Sequence, residues 1–174
     1  MSDLKKYIRN IHDFPSKGIV FRDITTLLKN PVSLSHSVEV LAEAVDQTQV
    51  DIVVGIEARG FIFGGILAQK LNAGFVPIRK SGKLPSETIE KNYDLEYGTD
   101  TLAIHKDAIE KGSKVLMFDD LLATGGTMAA SCSMVQQLGG DIVSCLFLIE
   151  LAFLNGRDKL SGYPVSSIVV YDEE

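Results

Sequence analysis

The sequence has little of what builds metal sites and disulfide frameworks: no tryptophan, two cysteines and three histidines in 174 residues. Cys132 and Cys145 lie in apolar stretches without zinc-ligand spacing, and no histidine has a second ligand at a helical offset. We therefore expect no zinc site. A lone cysteine pair in apolar surroundings predicts reduced core thiols in a cytosolic protein rather than a disulfide.

Long hydrophobic runs are also missing. No run of about 18 apolar residues could form a membrane-spanning helix, and the N-terminal residues Met1 to Lys6 lack the apolar core of a signal peptide. We therefore expect a cytoplasmic protein without a membrane partner. The net charge of −6 also disfavours nonspecific binding to nucleic acid. An anionic substrate must be bound by local positive potential.

What is present is typical of a globular α/β protein. With 174 residues, 45% of them hydrophobic, the chain is expected to form one domain, 1–174, with a sizeable core. Continuous apolar runs of strand length alternate with helical patterns, which predicts a doubly wound, mostly parallel sheet flanked by helices. Such sheets bind ligands beyond the carboxyl ends of their strands. The strand runs are Ile52–Val54, Phe75–Ile78, Val115–Phe118, Ile142–Ile149 and Ile168–Val170, and the helical patterns lie within 31–45, 61–71 and 128–138.

One polar segment, from Ser81 to Tyr97, does not fit this alternation. Glycine, proline and asparagine interrupt it, and residues 88–95 could pair with 101–104 as a β-hairpin. A long irregular insertion in a compact domain is usually functional or mobile.

The strongest functional signal follows the apolar strand Val115–Phe118. Two acids, Asp119 and Asp120, come first, and after two leucines the small residues 123–127 open a helix. Glycines let backbone N–H groups converge on an anion, and the helix N-terminus adds positive potential. Carboxylates beside a phosphate cradle would accept from sugar hydroxyls or act through Mg²⁺. The pattern indicates a ribose 5-phosphate site; the alternative is a tight turn with solvated acids.

This segment resembles the phosphoribosyl pyrophosphate motif of the type I phosphoribosyltransferases, and its two leucines resemble the adenine-specific members. The resemblance runs from Leu4 to Arg157. It implies the type I phosphoribosyltransferase fold, with a hood at about residues 1–30 and a flexible lid at about 81–98. It also implies a Mg²⁺-dependent homodimer in purine salvage. That enzyme would convert adenine and phosphoribosyl pyrophosphate to AMP and pyrophosphate through an oxocarbenium-like transition state. The ribose hydroxyls would be held by Asp119 and Asp120, and the 5-phosphate by Ala123, Thr124, Gly125, Gly126 and Thr127.

The resemblance assigns further residues around the pyrophosphate. The loop after Ile52–Ile56 matches the family's pyrophosphate loop, in which the peptide bond before the residue matching Ala58 is commonly cis. Glu57 would approach the hydrated Mg²⁺, while Ala58 and the catalytic Arg59 bind pyrophosphate. On residue type alone, an arginine at the position of Arg59 is more often part of a surface ion pair. The lid would add Arg79, Lys80 and Lys83, and in related dimers the arginine matching Arg79 comes from the neighbouring subunit.

The adenine site is implied in the same way. Phe21 would stack on the purine, Leu121 would close its opposite face, and the main chain of Val20 and Arg22 would read its hydrogen-bonding edge. Glu96 would handle a proton on the adenine imidazole ring, and Tyr97 would gate the pocket. Without the resemblance, Lys83 and Glu96 read as a solvated charged surface.

Three alternatives stay open at this point. The first is a transferase for 6-oxo purines. The second is a gene regulator that senses phosphoribosyl pyrophosphate, although it would need a basic nucleic-acid-binding face. The third is a nucleotide-binding domain without catalysis.

Overall fold

Within residues 4–45, 50–94 and 99–173, which this computed structural model describes, a seven-stranded sheet forms the centre of the molecule. A separate two-stranded hairpin lies at the N-terminal end. The elements in chain order are β1 (Arg9–His12), β2 (Val20–Asp23), α1 (Thr25–Leu28), α2 (Pro31–Glu43), β3 (Ile52–Ile56), α3 (Gly60–Lys70), β4 (Gly74–Lys80), β5 (Thr88–Asp94), β6 (Thr99–His105), β7 (Lys114–Leu122), α4 (Gly126–Gln137), β8 (Asp141–Leu151) and β9 (Val165–Tyr171). Short 3₁₀ turns cover Leu4–Tyr7, Ala152–Leu154 and Gly156–Leu160.

The strand order in the large sheet is β5-β6-β4-β3-β7-β8-β9. Strands β4, β3, β7, β8 and β9 are parallel to their neighbours in this order, whereas β6 pairs antiparallel with β4 and with β5. The predicted fold class, a mostly parallel doubly wound sheet, is confirmed. The carboxyl ends of β3 and β7 lie side by side at the centre of this sheet, because Gly55 is in register with Phe118.

The core has one layer on each face of the sheet. Alternate residues of β7 point to opposite faces, so Leu116 and Phe118 pack with α1, α2 and α3, while Val115 and Met117 pack with α4. Both faces of the central strands are therefore covered, which explains why their sequences are continuously apolar.

The two cysteines lie on the α4 side of this core. Cys132 and Cys145 are free and buried, with their Sγ atoms 3.6 Å apart. This confirms that they are core thiols. Within the described part of the chain, no helix has the length and apolar character needed to cross a membrane.

Two stretches are more regular than the sequence indicates. Strand β7 runs through both acids to Leu122, rather than ending at Phe118, because β8 continues to pair beside it. Residues 88–94 of the expected irregular insertion form the whole of β5, which pairs with β6 at the edge of the large sheet. The hairpin expected here is present, and it extends the sheet.

Candidate active site

The acid pair stands at the carboxyl end of β7, next to the start of α3. Asp120 is buried, with 5% of the residue exposed. The Asp119 carboxylate accepts a hydrogen bond from the Asp120 main-chain N–H, 2.9 Å away. Gly60 admits this carboxylate, since a Cβ at that position would lie 3.0 Å from Asp119 Oδ1. The two acids are thus held in place at the edge where the fold places ligands.

Burial disfavours the charged form of both acids. It raises the pKa of Asp119 well above its usual range, and repulsion from the Asp120 carboxylate adds to the rise. Burial also raises the pKa of Asp120, although the Arg59 guanidinium opposes this shift. Two carboxylates kept together against such a cost are typical of a functional site.

The loop after these acids encloses a small cavity. Its volume is about 70 Å³, and its lining includes Asp119, Leu121, Thr124, Gly125 and Thr127. Gly125 adopts a left-handed backbone with φ 77°, which glycine tolerates best. Helix α4 begins at the next residue, so its unsatisfied N–H groups point towards this cavity.

Arg59 connects three parts of the site. Its Nε lies 2.6 Å from the Asp120 carboxylate, and its guanidinium lies 5.1 Å from the centre of the Phe21 ring. Phe21 belongs to β2 in the hairpin. A single cation therefore links the loop after β3, the acid pair near the end of β7 and the N-terminal hairpin.

The hairpin presents the ring of Phe21 to the site, whereas the side chain of Arg22 points away from it. Phe21 is braced by Phe14, whose ring meets it edge-on at 5.3 Å. Its neighbour Arg22 points elsewhere: that guanidinium is buried and lies 4.0 Å over the Tyr171 ring. Only the main chain of Arg22 is thus free to face the site, which fits the main-chain role that the resemblance implies.

The carboxylate of Glu57 accepts hydrogen bonds from two cationic side chains and one main-chain N–H of β4 and the turn after it. Lys83 Nζ lies 2.5 Å from this carboxylate, the Lys80 N–H 3.0 Å, and Arg79 Nε 3.2 Å. Burial alone would raise the pKa of Glu57, but these hydrogen bonds outweigh it and lower the pKa. The Glu57–Ala58 peptide bond is cis, as the resemblance implies.

With this geometry in place, similarity to known proteins decides the family. Residues 23–172 match the phosphoribosyl transferase domain family. The adenine phosphoribosyltransferase of Christiangramia forsetii is 55% identical over 97% of this chain and 99% of its own. The chain belongs to the adenine phosphoribosyltransferases. It is therefore an enzyme of the pentosyltransferase class.

Solved structures of adenine phosphoribosyltransferases share the fold. That of Thermoanaerobacter pseudethanolicus has a TM-score of 0.94 and 52% identity, covering 97% of this chain and 98% of its own. The Saccharomyces cerevisiae enzyme, complexed with an imino-altritol bisphosphate and adenine, has a TM-score of 0.88 and 43% identity, covering 95% and 96%.

The structure brings most of the predicted site residues to one edge of the sheet. The acid pair, the loop 123–127, Arg59 and Phe21 converge at this edge. Beside them, Glu57 after β3 pairs with Arg79 on β4 and Lys83 after it. Leu121 lines the phosphate-loop cavity as well as packing against the core. Glu96 and Tyr97 lie outside the described residues.

Two features of the site had no clear sequence signal. The convergence of Lys83, Lys80 and Arg79 on Glu57 requires a register between β3 and β4 that residue type does not encode. The second is a tight contact between Gly125 and Gly156, far apart in the chain. An asparagine before a glycine at 155–156 indicates a turn, but it does not indicate which loop that turn meets.

Proposed function

We propose that this chain transfers the 5-phosphoribosyl group of phosphoribosyl pyrophosphate to adenine, giving AMP and pyrophosphate with Mg²⁺ in purine salvage. The observation that carries the proposal is the position of Arg59 between Asp120 and Phe21. Groups suited to a leaving pyrophosphate, a ribose diol and a purine ring meet at this one residue. The named relatives carry the same activity in their names, and the yeast structure contains adenine.

The sugar phosphate would be held after β7. Asp119 and Asp120 would accept hydrogen bonds from the ribose 2- and 3-hydroxyls, since ionised carboxylates are strong acceptors for such donors. The loop Ala123, Thr124, Gly125, Gly126 and Thr127 would surround the 5-phosphate with N–H groups and hydroxyls. The small cavity lined by this loop supports the assignment.

The leaving group would lie between Arg59 and the cations near Glu57. As the bond from the anomeric carbon to pyrophosphate oxygen breaks, positive charge grows on the sugar and negative charge on pyrophosphate. Arg59, Arg79 and Lys83 would stabilise the negative charge, together with the main chain at Ala58. Because these groups are already held by carboxylates, they need little reorganisation.

The residues present fit a magnesium ion that is carried mainly by substrate oxygens. Within the described part of the chain no group of three or more potential ligands is assembled, and Mg²⁺ commonly binds through one or two carboxylates plus substrate phosphates. Glu57 would contact the hydrated ion and the acid pair lies nearby. When bound, the ion would neutralise charge on the pyrophosphate.

Adenine would stack on Phe21, with Leu121 on its other face. Val20 and Arg22 are two residues apart on β2, so their main-chain groups point to the same edge of the strand and could read the purine together. As the ring nitrogen bonds to the anomeric carbon, its proton would pass to Glu96, and Tyr97 would close the pocket. These last two roles rest on the resemblance alone.

We also propose a homodimer that uses the apolar face of α3 and β4. Ile62 is 41% exposed and Phe75 is 36% exposed, and Phe61 packs against Phe75 with ring centres 5.9 Å apart. Large apolar side chains left exposed on neighbouring elements are typical of an interaction surface. Arg79 lies on β4 as well, so a partner covering this face would approach the pyrophosphate cations. Sedimentation at micromolar concentration would find a dimer, and a monomer would contradict this part.

The function is tested by mixing the chain with phosphoribosyl pyrophosphate, Mg²⁺ and adenine, hypoxanthine or guanine together. We expect AMP and pyrophosphate, little IMP or GMP, and loss of product when EDTA is added. Equal use of the three bases would overturn the adenine assignment. Salt-sensitive binding to nucleic acid without AMP formation would favour the regulator instead.

The role of Glu96 needs a separate test. Glu96→Gln should change the pH–rate profile and lower turnover. An unchanged profile and rate would remove Glu96 from the mechanism.

A further inference from the structure

The turn at Gly156 forms the back wall of the phosphate loop. A Cβ built on Gly125 would lie 2.2 Å from the Gly156 carbonyl oxygen, and one built on Gly156 would lie 2.2 Å from the Ala123 carbonyl oxygen. The two main chains are therefore in direct contact, with no room for a side chain between them. Any shift of Gly156 must move the loop that is proposed to hold the 5-phosphate.

The residue after this glycine ties the turn to the sheet. Arg157 donates from Nε and Nη2 to the two oxygens of Glu150, each at 2.7 Å. A third hydrogen bond runs from Arg157 Nη1 to the Val165 carbonyl oxygen at 3.0 Å. The planar guanidinium is thus fixed in orientation on two neighbouring strands, β8 and β9, which a single-point contact could not achieve.

Glu150 connects Arg157 to the strand that leads into the phosphate loop. Its side chain is only 6% exposed, and its backbone is in register with Leu122, the last residue of β7 before the phosphate loop. A carboxylate so buried is costly unless it is paired. Arg157 satisfies it and also lowers its pKa. The pair therefore joins the end of β7, through β8, to the turn behind the loop.

We propose that Glu150 and Arg157 are positioning residues for phosphoribosyl binding, holding the Gly156 turn against the Ala123–Gly125 backbone. This inference rests on the proposed function, because it assumes that the loop binds the 5-phosphate. Neither residue needs to touch the substrate. Their effect is to fix the depth and shape of the loop, and a displacement of about 1 Å at such a site can lower activity by about 10²-fold.

The test compares Arg157→Lys with wild type. Lysine keeps the positive charge but cannot hold both carboxylate oxygens in one plane. We expect the KM for phosphoribosyl pyrophosphate and the Kd for ribose 5-phosphate, measured by calorimetry, to rise about 10-fold. The KM for adenine should stay within about twofold, because Phe21 lies on the β1–β2 hairpin, which forms a sheet separate from the one that contains β8 and β9.

A matched control separates positioning from general weakening of the sheet. Lys114 and Asp141 form an ion pair that joins β7 to β8 at the opposite end of the same two strands. Lys114→Gln should leave all three constants unchanged. If Arg157→Lys behaves like this control, or raises both KM values equally, the proposal is overturned.

Foldedness and the proposed function are controlled independently. If Arg157→Lys does not fold, Glu150→Gln, which keeps one acceptor for Arg157, should show the same selective rise. Should both fail to fold, the pair is a folding determinant only and the proposal is overturned. If wild type binds ribose 5-phosphate but forms no AMP, the proposed function fails while the binding comparison still decides this inference. If wild type forms AMP but does not bind ribose 5-phosphate, the proposed function stands and the KM for phosphoribosyl pyrophosphate decides this inference.

Discussion

Replacing Arg59 with alanine separates a catalytic cation from a structural ion pair. Its side chain is 35% exposed, its partner Asp120 is 8% exposed, and the pair is 2.6 Å apart. Exposed pairs contribute about 0–1 kcal/mol, and breaking a buried pair costs about 3–5 kcal/mol. This pair is intermediate, and Asp120 can take up a proton once its cation is gone. We expect a loss of about 1–2 kcal/mol, or roughly 2–8 °C in Tm for a domain of this size.

The effect on turnover should be much larger than this. Removing one preorganised donor to developing charge typically lowers the rate about 10²–10³-fold, equivalent to about 2.7–4 kcal/mol in the transition state. We expect kcat of Arg59→Ala to fall by that factor, as measured from initial rates of AMP formation at saturating substrates. Circular dichroism of the same sample should show the fold intact.

Lys70 offers a matched control at the other end of α3. It pairs with Glu39 at 2.9 Å and is 31% exposed, close to the exposure of Arg59. Lys70→Ala should leave kcat unchanged and lower Tm by at most a few degrees. Arg59→Ala could instead keep a near-normal kcat, the result expected for Lys70→Ala. Arg59 would then be only a surface ion pair, and its assigned role at the leaving group would be wrong.

Three further outcomes are expected around the phosphate loop and the acids. Gly125→Ala should raise the KM for phosphoribosyl pyrophosphate at least about 10-fold, because φ 77° and a contact at 2.2 Å both oppose a methyl group; an unchanged KM would contradict the loop assignment. Asp119→Asn should abolish activity yet raise Tm at pH 7–8, since it removes a charge whose burial is unfavourable; a lower Tm would show that the charge stabilises the fold. In wild type without ligand, Tm should increase as the pH falls through the raised pKa of Asp119, and Asp119→Asn should flatten this slope; equal slopes would count against the raised pKa.

The sign of that pH dependence follows from the direction of the shifts. The pKa values of Asp119 and Asp120 are higher in the folded protein than in the unfolded chain. Their contribution is fully favourable below the unfolded pKa and is lost as the pH rises through the folded pKa. Glu57 and Glu150 have lowered pKa values, so their contribution is present above the unfolded pKa and is lost only as the pH falls through the folded one.

The sequence predicts the sheet well because burial on both faces leaves a plain signal. The apolar runs beginning at Ile52 and Val115 become β3 and β7. It predicts the end of β7 poorly, since two acids normally stop a strand. The pairing of Asp119 and Leu121 with β8 overrides that local preference. The sequence predicts the hairpin of β5 and β6 only as one option for part of a polar insertion, because the stability of β5 comes from pairing with β6 rather than from its polar sequence.

The site residues were predicted from motifs, whereas their contacts depend on distant strands. Glycine and acid patterns indicate the loop after β7. They do not show that Arg59 contacts Asp120, or that the Arg59 guanidinium lies over the Phe21 ring. Such pairings follow from the parallel register of β3 and β7 and from the fold of the hairpin. Local sequence carries the chemistry of each group, and the order of the strands determines which groups meet.

The charges in this site balance one another without a substrate. Arg59 faces Asp120, and Arg79 and Lys83 face Glu57. Burial raises the pKa values of Asp119 and Asp120, so a second carboxylate charge in this pocket is unfavourable without a partner. A ligand that brings both hydroxyl donors and phosphate acceptors can replace the two partners of such an ion pair together, leaving neither buried charge alone. An anion without a diol would pair with Arg59 and leave the Asp120 carboxylate without a partner. A buried charge without a partner is strongly unfavourable. The arrangement thus favours a phosphorylated, activated sugar over simpler anions, and it does so through the protein's own ion pairs.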